Sequence, residues 1–530
     1  LLAGCGANSG EQHTQAAGEV AAPTAEAAET VYITGSFPLN IDPAVASSDI
    51  DASVMFNVYD SLVFIEDDGT LSNHIADSYE VSEDGLTYTF KLKTGITFHD
   101  GSEITASDVA FSMNRMLAIG QGFSYLFTPY VESAEAVDDT TVVFHMKKTF
   151  GPFVNALIRL SILNEELVMA NAQEEGDYGE FGDYGMNWLL TNDAGSGPYM
   201  VESVSVESNL TAVKFDDYYL GWEENAPSRI EFMAVNDAAT IQTLMSRGEL
   251  DITDVWQSQD NLKALDALEG IDVTNMYTGM VINLEMNTAK APTDDIHFRK
   301  ALAYLFDYDT VTSQIFPGAK QAIGPVSGSY EGSNQEMEVY SYNIEKAKEE
   351  LAQSPYADQL DQYPITIEWS ADVTDEEKLC LLLQQACAQV GITLNIQQCT
   401  FSTLIDHAAT PEGTAHLTVM YPSDSYGEAG SVLSLRYHTT TSGTFTQYEW
   451  LLDEEIDAAI EASLETLDKE SRLEQYRAIQ EDLVEMCPSM WAREYPEMRA
   501  YNAAKITWPA AEFAKEGGNN APIMGRSIYC

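Results

Sequence analysis

The chain has 530 residues, 45 % of them hydrophobic, enough to bury large cores and, because single cores stop growing near roughly 250–300 residues, to divide into two to four domains. Eighty-four Asp plus Glu against 26 Lys plus Arg give a formal charge of −58. At that charge nucleic acid and anionic membrane surfaces repel the protein at long range, which argues against a polyanionic partner and leaves solubility as the plain use of the acidity.

Leu2-Ala3-Gly4-Cys5 has the form of a bacterial lipobox, in which small residues let a signal peptidase approach the backbone and the cysteine thiol takes a diacylglycerol. Residues 6–30 carry Ala, Glu, Thr, Gln and Gly with almost no large apolar side chain, the composition of a disordered tether. Cys5 is therefore the expected lipid anchor, holding the protein on the outer face of a cell membrane; the alternative is a frayed end with an incidental cysteine. No later run offers the roughly 18 consecutive apolar residues of a membrane span.

From Val31 the pattern changes. In "SYEVSEDGLTYTFKLKTGITFHDG" Leu86, Tyr88, Phe90 and Leu92 alternate with Thr87, Thr89, Lys91 and Lys93 after the turn Glu83-Asp84-Gly85, which predicts an antiparallel hairpin. "ITASDVAFSMNRML" predicts a helix capped by Thr105 or Ser107, with Asp108 in its first turn and Val109, Met113, Met116 and Leu117 on one face. Hairpins follow at "VESAEAVDDTTVVFHMKK" and "GPYMVESVSVESNLTAVKF", so the first 220 residues read as α+β. Between them Gly176, Gly179, Gly182 and Gly185 alternate with Tyr178, Phe181 and Tyr184, either an aromatic flap over a ligand or an excursion packed on its own domain. "DAATIQTLMSRGELDITDVW" predicts a helix ending at Gly248 and a short strand Leu250-Asp251-Ile252 leading to Trp256.

Further on, "ITIEWS" is a strand, "TDEEKLCLLLQQACAQVG" a helix with a capping box from Thr374 to Glu377, and "ITLNIQQC" a second strand. A strand, helix and strand of these lengths form a right-handed unit with parallel strands, and "FSTLIDHAA" with "HLTVMY" repeats it, so this half reads as α/β.

Motifs for catalysis are missing: the histidines form no HExxH, and there is no GxSxG, GxxxxGK[ST] or GxGxxG. Cys5, Cys380, Cys387, Cys399, Cys487 and Cys530 show no CxxC and no zinc-like spacing, so no metal site and no cofactor is expected. In open parallel sheets ligands sit beyond the carboxyl ends of the strands. Three stretches reach such a place: Tyr421 to Tyr426, with Asp424 between them; Trp369-Ser370; and Trp256. Each aromatic has core packing as its alternative, and Asp424 has a turn or helix cap.

Nearly end to end, the chain resembles the extracellular solute-binding proteins of ABC importers, in particular the large three-lobed class (family 5) that serves peptide, nickel and some sugar uptake. The resemblance rests on "NVYDSLVFIEDDGTLSNHIADSYEVSEDGLTYTFKLKTGITFHDGSEITASDVAFSMNRML", on "GSGPYMVE", on "FDDYYLGWEENAPSRIEFMAVNDAATIQTLMSRGELDIT", and on "HFRKALAYLFDYDTV", "YNIEKAKEELA" and "QQACAQVGITLNI", over residues 31–510. It implies an α/β, two-lobed periplasmic-binding-protein-like (class II type) fold with an inserted α+β domain. After the 1–30 tether, lobe I would comprise 31–60, 195–277 and 488–530, the insert 61–194, and lobe II 278–487. Residues Tyr277 to Asn283 would cross between lobes and absorb a hinge rotation. In peptide-binding members an aspartate at a strand end meets the ligand's α-ammonium, and the matching stretch here is Tyr421, Pro422, Ser423 and Asp424.

The expected protein is thus a non-enzymatic, monomeric lipoprotein that captures di- or oligopeptides and delivers them to a membrane permease and its ATPase subunits. Its expected ligand-binding residues are Asp424, Tyr421, Tyr426, Trp256, Trp369 and Tyr277. The alternatives are an oligosaccharide stacked on Trp256, Trp369, Tyr421 and Tyr426, a nickel chelate held by His416 or His407, and a secreted hydrolase with dispersed acids.

Overall fold

The structure, a computed structural model, describes residues 30–46, 48–66, 70–223, 225–421 and 425–515. The expected anchor Cys5, the tether up to residue 29, Asp424 and Cys530 lie outside the described residues.

The alternation in the first half produces two antiparallel hairpins that join into one sheet, ordered Ala76–Val81, Thr87–Leu92, Thr141–Met146, Val131–Asp138. Tyr88, Phe90 and Leu92 point inward while Lys91 is exposed, as period-two patterning requires; Leu86 precedes the strand and is exposed. Helix Ala106–Ile119 covers this sheet with Val109, Met113 and Met116. Thr105 caps it, and the Asp108 carboxylate accepts from the Thr105 backbone N–H at 2.9 Å. The glycine-spaced stretch is an excursion packed on this helix: Tyr184 is buried 5.6 Å from the ring of Phe111, and Phe181 stacks on Tyr184.

A second four-stranded sheet is ordered Thr30–Thr34, Arg229–Met233, Asn209–Lys214, Tyr199–Ser205, with the first pair parallel and the rest antiparallel. Helix Ala238–Arg247 ends at Gly248 in the left-handed conformation. The expected strand Leu250–Ile252 is reduced to single bridges from Ile252 to Ile33 and Tyr501, because the chain leaves the sheet at once for the turn that sets Trp256.

The third sheet has five strands in the order Leu394–Cys399, Ile365–Ser370, Leu417–Met420, Met276–Met286, Ser489–Glu497. The first three are parallel, the successive crossovers expected from the sequence. The last two run antiparallel to their neighbours. Helix Glu376–Ala388 begins directly after Asp375, without the expected Thr374–Glu377 box; the buried Glu376 carboxylate instead turns back to accept the Ser370 N–H at 2.7 Å. Cys380 and Cys387 are buried against this sheet with Leu379 and Leu383. Helices Glu454–Glu465 and Lys469–Met486 pack Ile460, Leu464 and Leu483 into the core shared with the two earlier sheets. Among the described residues no helix is long and apolar enough to cross a membrane.

Candidate ligand-binding cleft

A narrow cleft lies between the segment at 256–258 and the carboxyl-end loops of the five-stranded sheet. Its first wall is built by an Asx turn. Asp254 accepts the Trp256 N–H at 2.7 Å through one carboxylate oxygen and the Gln257 side chain at 2.9 Å through the other, fixing the indole over the gap. Burial raises the pKa of the Asp254 carboxyl, partly opposed by those donors and by Arg499.

Tyr421 follows the strand Leu417–Met420 directly, and its ring meets Trp256 edge to face at 5.9 Å and Tyr495 at 5.2 Å. Its hydroxyl is buried without a hydrogen-bond partner among the described residues, and burial pushes its pKa well up. Opposite, two helix N-termini converge. Asp375 immediately precedes helix Glu376–Ala388 without a side-chain capping bond to it; its carboxylate accepts the N–H of Gln259 at the start of helix Gln259–Asp266 at 3.0 Å and binds Lys378 at 2.7 Å. A carboxylate of this chain therefore already occupies one positive dipole end.

Behind the aromatic wall lies Arg493, on the strand Ser489–Glu497 and 1 % exposed. Its guanidinium stacks 3.4 Å from the Phe316 ring centre and 4.7 Å from that of Tyr495. Nε and Nη2 are buried with no hydrogen-bond partner among the described residues. The adjacent Glu494 is engaged with the Gly328 N–H at 2.7 Å, and Asp375 is committed as described. Burial lowers the pKa of Arg493 to about 10, against the pull of Tyr421, Tyr495 and Asp375, so it is cationic at neutral pH. A buried guanidinium whose Nε and Nη2 lack a partner among the described residues suits a planar anion such as a carboxylate.

Of the residues singled out from the sequence, Trp256 and Tyr421 share this cleft. Trp369 does not reach it: with Ile365 and Ile367 it faces the core beneath the sheet and is 4 % exposed. Tyr426 is 1 % exposed in the other core, 6.3 Å from Phe150. Tyr277 stands under the Lys320 ammonium, 4.2 Å from its ring centre. Asp424 lies outside the described residues. His407 pairs with Glu368, and His416 accepts the Thr366 N–H at 3.1 Å, held neutral by burial with a pKa near about 4; neither lines the cleft. Sequence reasoning missed Phe316, Asp375, Tyr495 and Arg493. Asp375 was the findable one, since it starts a helix just after the strand that ends at Ser370.

Comparison with known proteins agrees with this architecture. The family model for "Bacterial extracellular solute-binding proteins, family 5 Middle" matches residues 70–444. Among curated proteins, the "Probable D,D-dipeptide-binding periplasmic protein DdpA" of Escherichia coli is 26 % identical over 458 residues, covering 84 % of this chain and 85 % of its own. The "Glutathione-binding protein GsiB" of Pectobacterium atrosepticum is 27 % identical over 476 residues, covering 88 % of each. Among solved structures, the periplasmic binding protein DppA of Helicobacter pylori, in complex with the peptide STSA, superposes with a TM-score of 0.75 at 20 % identity, over 89 % of this chain and 94 % of that one. The fold is accordingly the mixed α/β, periplasmic-binding-protein type. With the family model spanning well over half of its length, the chain belongs to the family 5 bacterial extracellular solute-binding proteins.

Proposed function

We propose that the protein captures short peptides outside the cell and hands them to an ABC permease driven by its ATPase subunits. The observation that carries this reading is Arg493: a buried guanidinium that has no counter-ion among the described residues, set behind three aromatic rings at the cleft, suits the carboxylate of a peptide. Trp256, Tyr421 and Tyr495 offer faces and edges to peptide planes and apolar side chains without demanding one sequence. Asp424, three residues beyond Tyr421, would take the α-ammonium at the other end. The names of the relatives, D,D-dipeptide-binding and glutathione-binding, support a peptide-like cargo.

In this reading lobe I (31–60, 195–277 and 488–530) and lobe II (278–487), with the insert 61–194, close around the ligand. Tyr277 to Asn283 lies on the strand Met276–Met286, whose register with Ser489–Glu497 is interrupted between Tyr277 and Val281, a position suited to a hinge. Cys5 carries the lipid and the segment to residue 29 is the tether, shortened by one because Thr30 already pairs with Arg229 in a strand, with the protein acting as a monomer.

A thermal-shift panel of di- to pentapeptides, oligosaccharides and nickel chelates tests the cargo. Peptides raise the melting temperature, and at about 100 times the dissociation constant the stabilisation is about 2.7 kcal/mol. Stabilisation by sugars or nickel chelates alone refutes it. For the anchor, Cys5→Ser releases the protein into the medium; continued membrane retention argues against lipidation.

A further inference from the structure

Three side chains of different chemistry converge at the edge of the five-stranded sheet, away from the groups that form the cleft. Glu368 comes from the strand Ile365–Ser370, Cys399 ends the edge strand Leu394–Cys399, and His407 stands in the last turn of helix Phe401–Ala408. Their ligand atoms all lie within 4.8 Å of one another, and His407 Nδ1 is 3.0 Å from Glu368 Oε2. Glu368 is buried, and among the described residues its ionic partner is the titratable His407 rather than a permanent cation. Lys290, near enough to feel the Glu368 charge, spends its ammonium on the carbonyls of Thr414 and Glu412 at 2.6 and 3.0 Å.

We propose that Glu368, Cys399 and His407 form a site for a resident divalent metal ion of the zinc class. A thiolate, an imidazole and a carboxylate are a borderline-soft donor set, which selects zinc-like ions over calcium or magnesium with their all-oxygen shells. Zinc bonds of about 2.0–2.3 Å put neighbouring donors of a tetrahedron about 3.3–3.7 Å apart, a spacing these three atoms reach by small side-chain adjustments. Binding replaces the Cys399 S–H bond by an S–metal bond and releases that proton to water. The ion takes the lone pair of neutral His407 Nδ1, with the ring proton on Nε2, and one carboxylate oxygen of Glu368. Water fills the fourth position. His407 is part exposed, which leaves an entry path, whereas Cys399 and Glu368 are buried. Tyr448 belongs to the apolar cluster around Cys399 and keeps a buried hydroxyl without a hydrogen-bond partner among the described residues, a polar atom that would serve a metal-bound water. The bound ion would rivet helix Phe401–Ala408 to the sheet edge. Without it, the same trio is a hydrogen-bonded thiol, carboxyl and imidazole.

Cobalt(II) titration of the chelator-stripped full-length chain separates the two. One equivalent of cobalt should give the visible bands of a tetrahedral ion together with a near-ultraviolet thiolate-to-cobalt absorption, both displaced by zinc. Cys399→Ser should abolish the thiolate absorption. His407→Gln, a part-exposed change that leaves the core untouched, should weaken cobalt binding by at least about 10-fold. No thiolate absorption in the parent protein, or an unchanged one in Cys399→Ser, overturns the assignment. Should Cys399→Ser fail to fold, undiminished binding by His407→Gln overturns it alone.

Discussion

The sheet in the first half and the five-stranded sheet each bury an arginine, and they treat it differently. Arg115, on helix Ala106–Ile119, is 0 % exposed, and Arg493 is 1 % exposed. Arg115 is saturated: both oxygens of Asp42 accept from it at 2.6 Å, and its Nε donates to the Tyr184 carbonyl at 2.8 Å. Arg493 has aromatic rings above and beside it but, among the described residues, no in-plane acceptor for Nε or Nη2. Burying a charge costs several kcal/mol unless it is paired. The first arginine meets that cost within the fold and is structural; the second, among the described residues, leaves it unmet behind the cleft wall. The same sheet buries two acids side by side, Glu285 and Glu449, with Arg436 the nearby positive charge.

The contrast makes predictions of descending size. Asp42→Ala leaves Arg115 buried without its partner and should destabilise the protein by about 3–5 kcal/mol in urea unfolding; a loss under about 1 kcal/mol would mean the pair is not structural. Arg493→Met removes an unpaired charge and keeps contact with Phe316, so the ligand-free protein should be as stable as the parent or up to about 1–4 kcal/mol more stable. A large destabilisation would show that Arg493 serves the fold after all. Glu449→Gln tests the acids. Burial raises the carboxyl pKa of Glu449 well above its ordinary 4.5, and Glu285 adds to it. A raised acid pKa means that the folded state holds the proton longer than the unfolded chain. Stability from this group is complete below about pH 4.5 and is lost as pH rises towards the folded pKa, by at most about 1.4 kcal/mol per pH unit. Glu449→Gln should flatten that decline; an identical pH profile contradicts it.

How much of this was written in the sequence follows from the kind of pattern each element carries. The hairpins and the crossovers were legible because burial on one face leaves a period, as in Tyr88, Phe90 and Leu92. The strand Met276–Met286 carries no such signal, since all eleven residues are buried, and with Ser489–Glu497 it adds the antiparallel half of the sheet. At the cleft, strand ends pointed to Trp256 and Tyr421. Trp369 was misleading because the same strand end has an inward face, and only register decides which face a residue takes. Phe316 and Arg493 were invisible because they are 177 residues apart and meet only through tertiary packing. The metal-site residues lacked a motif for the same reason: Glu368, Cys399 and His407 come from three separate elements.

The central claim is that a ligand's carboxylate completes Arg493. Isothermal titration of the parent and Arg493→Met with a dipeptide and with its C-terminal amide tests it directly. The parent should prefer the free acid by about 10- to 100-fold, the equivalent of a charged hydrogen bond of about 1.5–3 kcal/mol, and Arg493→Met should bind acid and amide alike. Equal affinity of the parent for both, or a preference that survives in Arg493→Met, would contradict the account.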